Sequence, residues 1–196
     1  MRVVPLLGVL AVGITQVVRA QSVSPIRTGE WIVDGAANFS HVHGQEPGTS
    51  GTSVSLAPSA LRFVTPHLAL GTSLALSHSS SSSGHSNSVG IGPAVRYFFG
   101  DSASTLQPFV AGSVTLNRVS LLSTINLGDT QLTTDATQRA LGYDGSIGLT
   151  KIIATNVGIT GEAYYAHLHL HMTPANDETR DSYSAGARFG FTVFVR

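Results

Sequence analysis

The sequence predicts an all-β fold, an eight-stranded antiparallel up-and-down transmembrane β-barrel. Three observations lead there. Large apolar residues recur at every second position along most of the chain, as in Phe189, Phe191, Val193 and Val195, with Ser184, Gly186, Arg188, Gly190 and Thr192 on the opposite face. Charged residues are only 11% of the chain, where an ordinary soluble domain carries about a quarter. After residue 20 no apolar run approaches the roughly 20 residues of a spanning helix, so a crossing has to be made by strands.

Residues 1–20 read as a secretory signal peptide. Arg2 supplies a basic start, Val3 to Val18 is mostly apolar, and Val18-Arg19-Ala20 puts small residues at the cleavage positions. Residues 21–196 are then one barrel domain. Arg2 and Arg19 leave with the signal, so nine basic groups face eleven acidic ones, a balance near −2. That excludes nucleic-acid binding, which needs a basic face. Cysteine is absent, so no disulfide framework supplies stability.

The first strand, about Gly29 to Ser40, sets Trp31, Val33, Ala37 and Phe39 against Ile32, Asp34, Ala36, Asn38 and Ser40. The second, about Ser53 to Phe63, contains Pro58, where a bulge is expected to upset its parity. In the third, Leu68, Leu70, Thr72, Leu74 and Leu76 oppose Ala69, Gly71, Ser73, Ala75 and Ser77. The fourth sets Val89, Ile91, Val95, Tyr97 and Phe99 against Gly90, Gly92, Ala94 and Arg96. In the fifth, Val110, Val114 and Leu116 oppose Phe109, Ala111, Ser113 and Thr115. The sixth sets Leu141, Tyr143, Ile147 and Leu149 against Ala140, Gly142, Asp144, Ser146 and Gly148. In the seventh, Val157, Ile159, Ala163 and Tyr165 oppose Thr160, Glu162 and Tyr164, and the chain closes on the eighth strand described above. Each needs roughly ten residues to cross a bilayer at a tilt.

The connections alternate in length. Short turns fall at Val64 to His67, Gly100 to Thr105 and Ile153 to Asn156, and long polar segments at His41 to Thr52, His78 to Asn87, Arg118 to Thr137 and His169 to Asp181. Short turns on one side and long loops on the other match an outer-membrane barrel with periplasmic turns.

Parity directs Asp34, Arg96, Asp144, Glu162 and Arg188 into the lumen, with Arg62 a further candidate. Opposite charges in a narrow lumen pair, because an unpaired buried charge is costly. The expected result is a polar packed core without a pore; an ion pair gating a narrow channel for small solutes is the alternative. Of eight histidines, only His67 lies in a short turn; the others, His41, His43, His78, His85, His167, His169 and His171, lie at ends or loops on the long-loop side. On an extended strand His167, His169 and His171 point the same way, with Asp177 and Glu178 close behind, a donor set suited to Zn²⁺, Cu²⁺ or Ni²⁺. The same residues also suit plain polar groups near lipid headgroups. No cofactor is expected.

Phe63-Val64-Thr65-Pro66-His67-Leu68-Ala69-Leu70-Gly71, Val95-Arg96-Tyr97-Phe98-Phe99 and Leu106-Gln107-Pro108-Phe109-Val110-Ala111-Gly112 resemble the small eight-stranded outer-membrane barrel family, the OmpA/OmpX-like porin-family β-barrel domains. The resemblance implies insertion into the outer membrane of a Gram-negative-type bacterium, with both termini periplasmic. It also implies a C-terminal signal for the barrel-assembly machinery, which Ser184, Gly186, Phe189 and Phe191 match in spacing, although five residues follow and the chain ends in Arg196. His85-Ser86-Asn87 loosely resembles the His/Ser pair of outer-membrane lipid A deacylases, but a serine-rich loop would position it poorly, and the chain is read as no enzyme. The implied role is envelope integrity and surface interaction through the outer loops, toward a ligand the sequence does not name. A soluble exported lipocalin-like binding barrel would alternate equally well, with its apolar face turned inward.

Overall fold

Strands that alternate in this way leave no open edge when their sheet curls until the first and last strands meet. The computed structural model describes residues 26–42, 51–81, 84–101, 104–127, 130–171 and 179–195. Its strands are β1 (Trp31–Val42), β2 (Gly51–Phe63), β3 (Leu68–Ser81), β4 (Gly84–Phe98), β5 (Leu106–Leu127), β6 (Thr130–Ala154), β7 (Val157–His171) and β8 (Thr179–Val195). Each pairs antiparallel with the next, and β8 returns to β1 from Trp31↔Val195 to Ala37↔Phe189, closing the barrel. The fold is the all-β eight-stranded antiparallel barrel that the alternation predicts. Residues 1–20, read as a signal peptide, lie outside the described residues.

The short turns sit at one end of the barrel with both ends of the described chain. In the β2–β3 turn the backbone N–H of Val64 donates to Leu68 O at 2.9 Å, and Thr65 Oγ1 accepts from the N–H groups of His67 and Leu68. The β4–β5 turn needs Gly100, whose φ of 95° disfavours any side chain.

Through the short-turn half of the barrel, side chains alternate between a buried or partly buried inner face and an exposed outer one. Trp31, Val33, Leu70, Leu74, Val89, Ile91, Leu116, Tyr143, Ile147, Tyr165, Phe189 and Phe191 are all exposed on the outside. Arg62 also lies on this outer face, exposed, with Nε donating to Gly29 O at 3.3 Å, so it is not a luminal charge. Leu61 and Phe63 take the inward positions beside it.

Three expectations about the strands are corrected. Pro58 causes no bulge: β2 keeps one register against β1 from Trp31↔Arg62 to Val42↔Gly51, with Pro58 opposite Gly35. The register shifts instead between Ile152 and Ala154, at the β6–β7 turn. The segments His78 to Asn87 and Arg118 to Thr137 are not loops. β3 runs to Ser81 and β4 starts at Gly84, while β5 and β6 stay paired from Leu106↔Lys151 to Leu127↔Thr130. Strands therefore run from 12 to 25 residues rather than ten. A hairpin satisfies its own backbone groups, and Val119, Thr124, Ile125, Thr133 and Thr134 are β-branched, so the ladder outlasts the apolar band.

Above Ala37 and Phe189 the β1–β8 seam is no longer paired, and Ser182, Ser184 and Gly186 are exposed there.

Candidate functional site

The lumen is built in two layers. At the short-turn end Ile26, Ile32, Leu61, Phe63, Ala69, Phe98, Phe109 and Phe194 form a buried apolar cluster, with Phe63 and Phe109 flanking Phe98 at ring-centroid distances of 5.6 and 5.8 Å. Beside it three buried threonines join hydroxyl to hydroxyl, Thr150 to Thr160 at 2.9 Å and Thr160 to Thr192 at 2.7 Å. The sequence predicts a packed polar core, with Ile32, Ala69 and Phe109 on inward positions; the apolar stopper that they join at one end is a correction to that polarity. Eight strands leave an interior that side chains can fill, and here aromatic rings fill it.

Above the stopper lie the five charges. Arg96 pairs with Asp34, and the Asp34 carboxylate also accepts from the Ser59 hydroxyl. The Arg96 guanidinium rests on Phe109 at 4.4 Å from its ring centre, which ties the ion pair to the stopper. Arg188 donates from Nη1 and Nη2 to the two Asp144 oxygens at 3.0 and 2.9 Å, and its Nε lies 2.9 Å from Glu162 Oε1. Ser146 donates to the other Glu162 oxygen at 2.8 Å. Tyr164 lies under Arg188 at 4.3 Å, and its hydroxyl accepts from Asn38 Nδ2 at 2.9 Å. Asp34, Arg96 and Glu162 are buried and Arg188 and Asp144 partly so, and pairing answers their desolvation. A cavity of about 320 Å³ lies among these charges, its wall made of serines such as Ser55, Ser73 and Ser146 interleaved with small and apolar residues such as Ala57, Leu74 and Ala111.

The histidines sit elsewhere. On the outer face near the long-strand end, His167 and His169 of β7 meet Asp181 of β8, whose Oδ1 lies 3.1 Å from His167 Nε2 and 2.7 Å from His169 Nδ1. His171 lies in β7 opposite Thr179, but its side chain is outside the described residues, as are Asp177 and Glu178. Asp181, the acid that does meet the histidines, stands in the sequence only as the end of the polar segment His169 to Asp181. Its signal was the β7–β8 register, which one sequence does not display. His78 and Asn87 form another outer pair, Nδ1 to Oδ1 at 2.7 Å, near His85. His85 and Ser86 are consecutive in β4 and point to opposite faces, so the base and hydroxyl of a hydrolytic pair do not meet.

Ser184, Gly186, Phe189 and Phe191 all lie in β8. The two rings point outward and are well exposed, while Ser184 and Gly186 take the other parity; four residues of strand follow Phe191.

No protein-family model matches the chain, and no curated protein matches it. Among solved structures it is similar to neisserial surface protein A (NspA), with 18% identity, 85% of this chain and 97% of that one covered, and a TM-score of 0.53. It is similar also to the outer membrane protein OprG from Pseudomonas aeruginosa, with 10% identity, coverage of 89% and 99%, and a TM-score of 0.54. At such identities the likeness shows the fold, that of the small outer-membrane β-barrels.

Proposed function

We propose that this chain is an integral outer-membrane barrel of a Gram-negative-type bacterium, non-catalytic and non-conducting, that supports the envelope and presents its long-strand end to the surroundings. One observation carries the reading: large apolar side chains face out around the middle of the wall, five paired charges lie inside it, and aromatic rings stop the bore. Leu116 and Phe189 are each 70% exposed and Ile147 63%. In water such a continuous band is a strong liability, whereas against hydrocarbon it is the complementary surface. A soluble lipocalin-like barrel needs the reverse arrangement.

The rim supports the same placement. Just beyond Leu116 and Leu141, Arg118 and Arg139 stand directly opposite each other on the exposed face. Like charges so placed repel in water but suit an anionic headgroup layer. The outward Phe189 and Phe191, spaced from Ser184 and Gly186, support recognition by the barrel-assembly machinery.

Extraction tests the membrane reading: the mature protein is expected in the membrane fraction, released by detergent and shifted in gel mobility by boiling. Monodisperse protein with full strand content in plain buffer would refute it. Planar-bilayer recording tests the stopper. A silent bilayer is expected, and steady unitary currents would restore the narrow-channel alternative.

A further inference from the structure

We propose that His167, His169 and Asp181 form a binding site for a divalent transition-metal ion on the outer wall of the barrel, with Zn²⁺ the ion that suits it. The inference goes beyond the envelope role and stands on the pairing of β7 with β8, so it holds or fails apart from the membrane reading.

Register assembles the site. His169 is paired directly with Asp181, and His167 with Tyr183, so residues two apart on β7 and two apart on β8 project their side chains from the same face. Asp181 Oδ1 sits between the two imidazoles, and the three donor atoms lie within 4.8 Å of one another. Around a tetrahedral zinc ion with bonds of about 2.0–2.1 Å, donor atoms stand about 3.3 Å apart. The observed separations of 2.7 and 3.1 Å to Asp181 are therefore near the bound geometry already, and small side-chain rotations open room for the ion. Two imidazole nitrogens and one carboxylate oxygen match zinc's borderline preference, and they disfavour calcium or magnesium, which take oxygen donors.

The surroundings hold one ligand in place. The His167 ring lies parallel to Tyr183, 4.5 Å away at 7°, and Tyr143 stacks on it at 6.0 Å and 23°. This sandwich fixes the imidazole plane and aims Nε2 at Asp181. Orienting contacts of that kind commonly tune metal ligands. Three protein donors leave a fourth position open, and the side chains are partly exposed, His167 at 27% and Asp181 at 45%, so an ion reaches them directly.

The test uses the full mature chain folded in detergent micelles, with the boiling-dependent gel shift confirming fold for every variant. Zn²⁺ alone is titrated by calorimetry and by histidine-ring NMR. Saturable one-to-one binding is expected with a Kd below about 1 mM, with the His167 and His169 ring signals moving together. His169→Ala and Asp181→Ala are each expected to weaken binding at least about tenfold, whereas the His78→Ala/His85→Ala double variant, altering the other rim pair, leaves it unchanged. Tyr183→Leu, which keeps all three donors, is expected to weaken it less. Absence of saturable binding below 1 mM overturns the proposal, as does binding that survives both His169→Ala and Asp181→Ala.

Discussion

Arg188 and Asp144 meet in a two-point ion pair although β7 stands between their strands, with Nη1 to Oδ2 at 3.0 Å and Nη2 to Oδ1 at 2.9 Å. The remaining guanidinium edge faces Glu162, the direct partner of Arg188 on β7. One cation thus ties three adjacent strands from the inside. A guanidinium does this because its donors are set in a rigid fork, which a lysine ammonium lacks.

Replacing Arg188 by Met removes the only cation touching these two carboxylates among the described contacts. Asp144 and Glu162 are then left close together and poorly solvated, and the expected cost is about 3–5 kcal/mol in reversible urea unfolding from micelles. Arg188→Lys is expected to fall between, and adding Glu162→Gln to Arg188→Met is expected to recover part of the loss. A change within experimental error for Arg188→Met would mean that water, not Arg188, satisfies the two acids.

Inner-face glycines let neighbouring backbones approach. A Cβ on Gly71 would overlap the Ala60 carbonyl, and one on Gly92 the Val114 carbonyl, whereas a Cβ on Gly145 meets nothing within 4 Å. Gly71→Val and Gly92→Val are therefore expected to abolish the heat-modifiable folded form, and Gly145→Ala to leave it intact. Equal folding yields for all three would show that the strands yield readily at these crossings.

How much of this was legible follows from what each feature depends on. The faces of β3, β4 and β7 could be read from single strands, because Leu70, Leu74, Val89, Ile91 and Tyr165 alternate with Ala, Gly, Ser and Glu in sequence. Which charges pair could not be read that way. Arg96 on β4 reaches Asp34 on β1 across the bore, a choice made by barrel stagger. The stopper was legible only in part: Ile32, Ala69 and Phe109 fall on inward positions, but Phe98 sits between Tyr97 and Phe99, and Phe194 between Val193 and Val195. Both faces are apolar there, and period two carries no contrast. The long β5–β6 hairpin was hidden for a different reason: its outward positions turn polar beyond the band, as at Arg118, Ser120, Thr133, Asp135 and Thr137, so the segment has a loop's composition although Val119, Leu121 and Ile125 still alternate.

Phe98 and Phe109 close the bore with rings in contact at 5.8 Å, and Phe109 also carries the Arg96 guanidinium. Phe109→Ala is expected to cost about 3–5 kcal/mol through the cavity it leaves. The Phe98→Ala/Phe109→Ala pair is expected to turn a silent planar bilayer into one with small discrete conductance steps. If the double variant folds and stays silent, the ion-pair layer above is a sufficient seal by itself.

The orientation of the whole wall is decided by a charge placed on its outer face. Ile147 lies opposite Val110 on one side and Ala163 on the other, inside the apolar band, whereas Leu141 lies at its edge, one pleat repeat from Arg139. An arginine in the middle of a bilayer costs a barrel about 2–4 kcal/mol, falling to about 0–1 kcal/mol near the interface. Ile147→Arg is therefore expected to lower folding stability in phospholipid vesicles by that larger amount, and Leu141→Arg by much less. In a wall facing water both arginines would be nearly neutral or even solubilising. Equal, small effects at the two positions would place water where hydrocarbon is required, and the membrane assignment would not survive them.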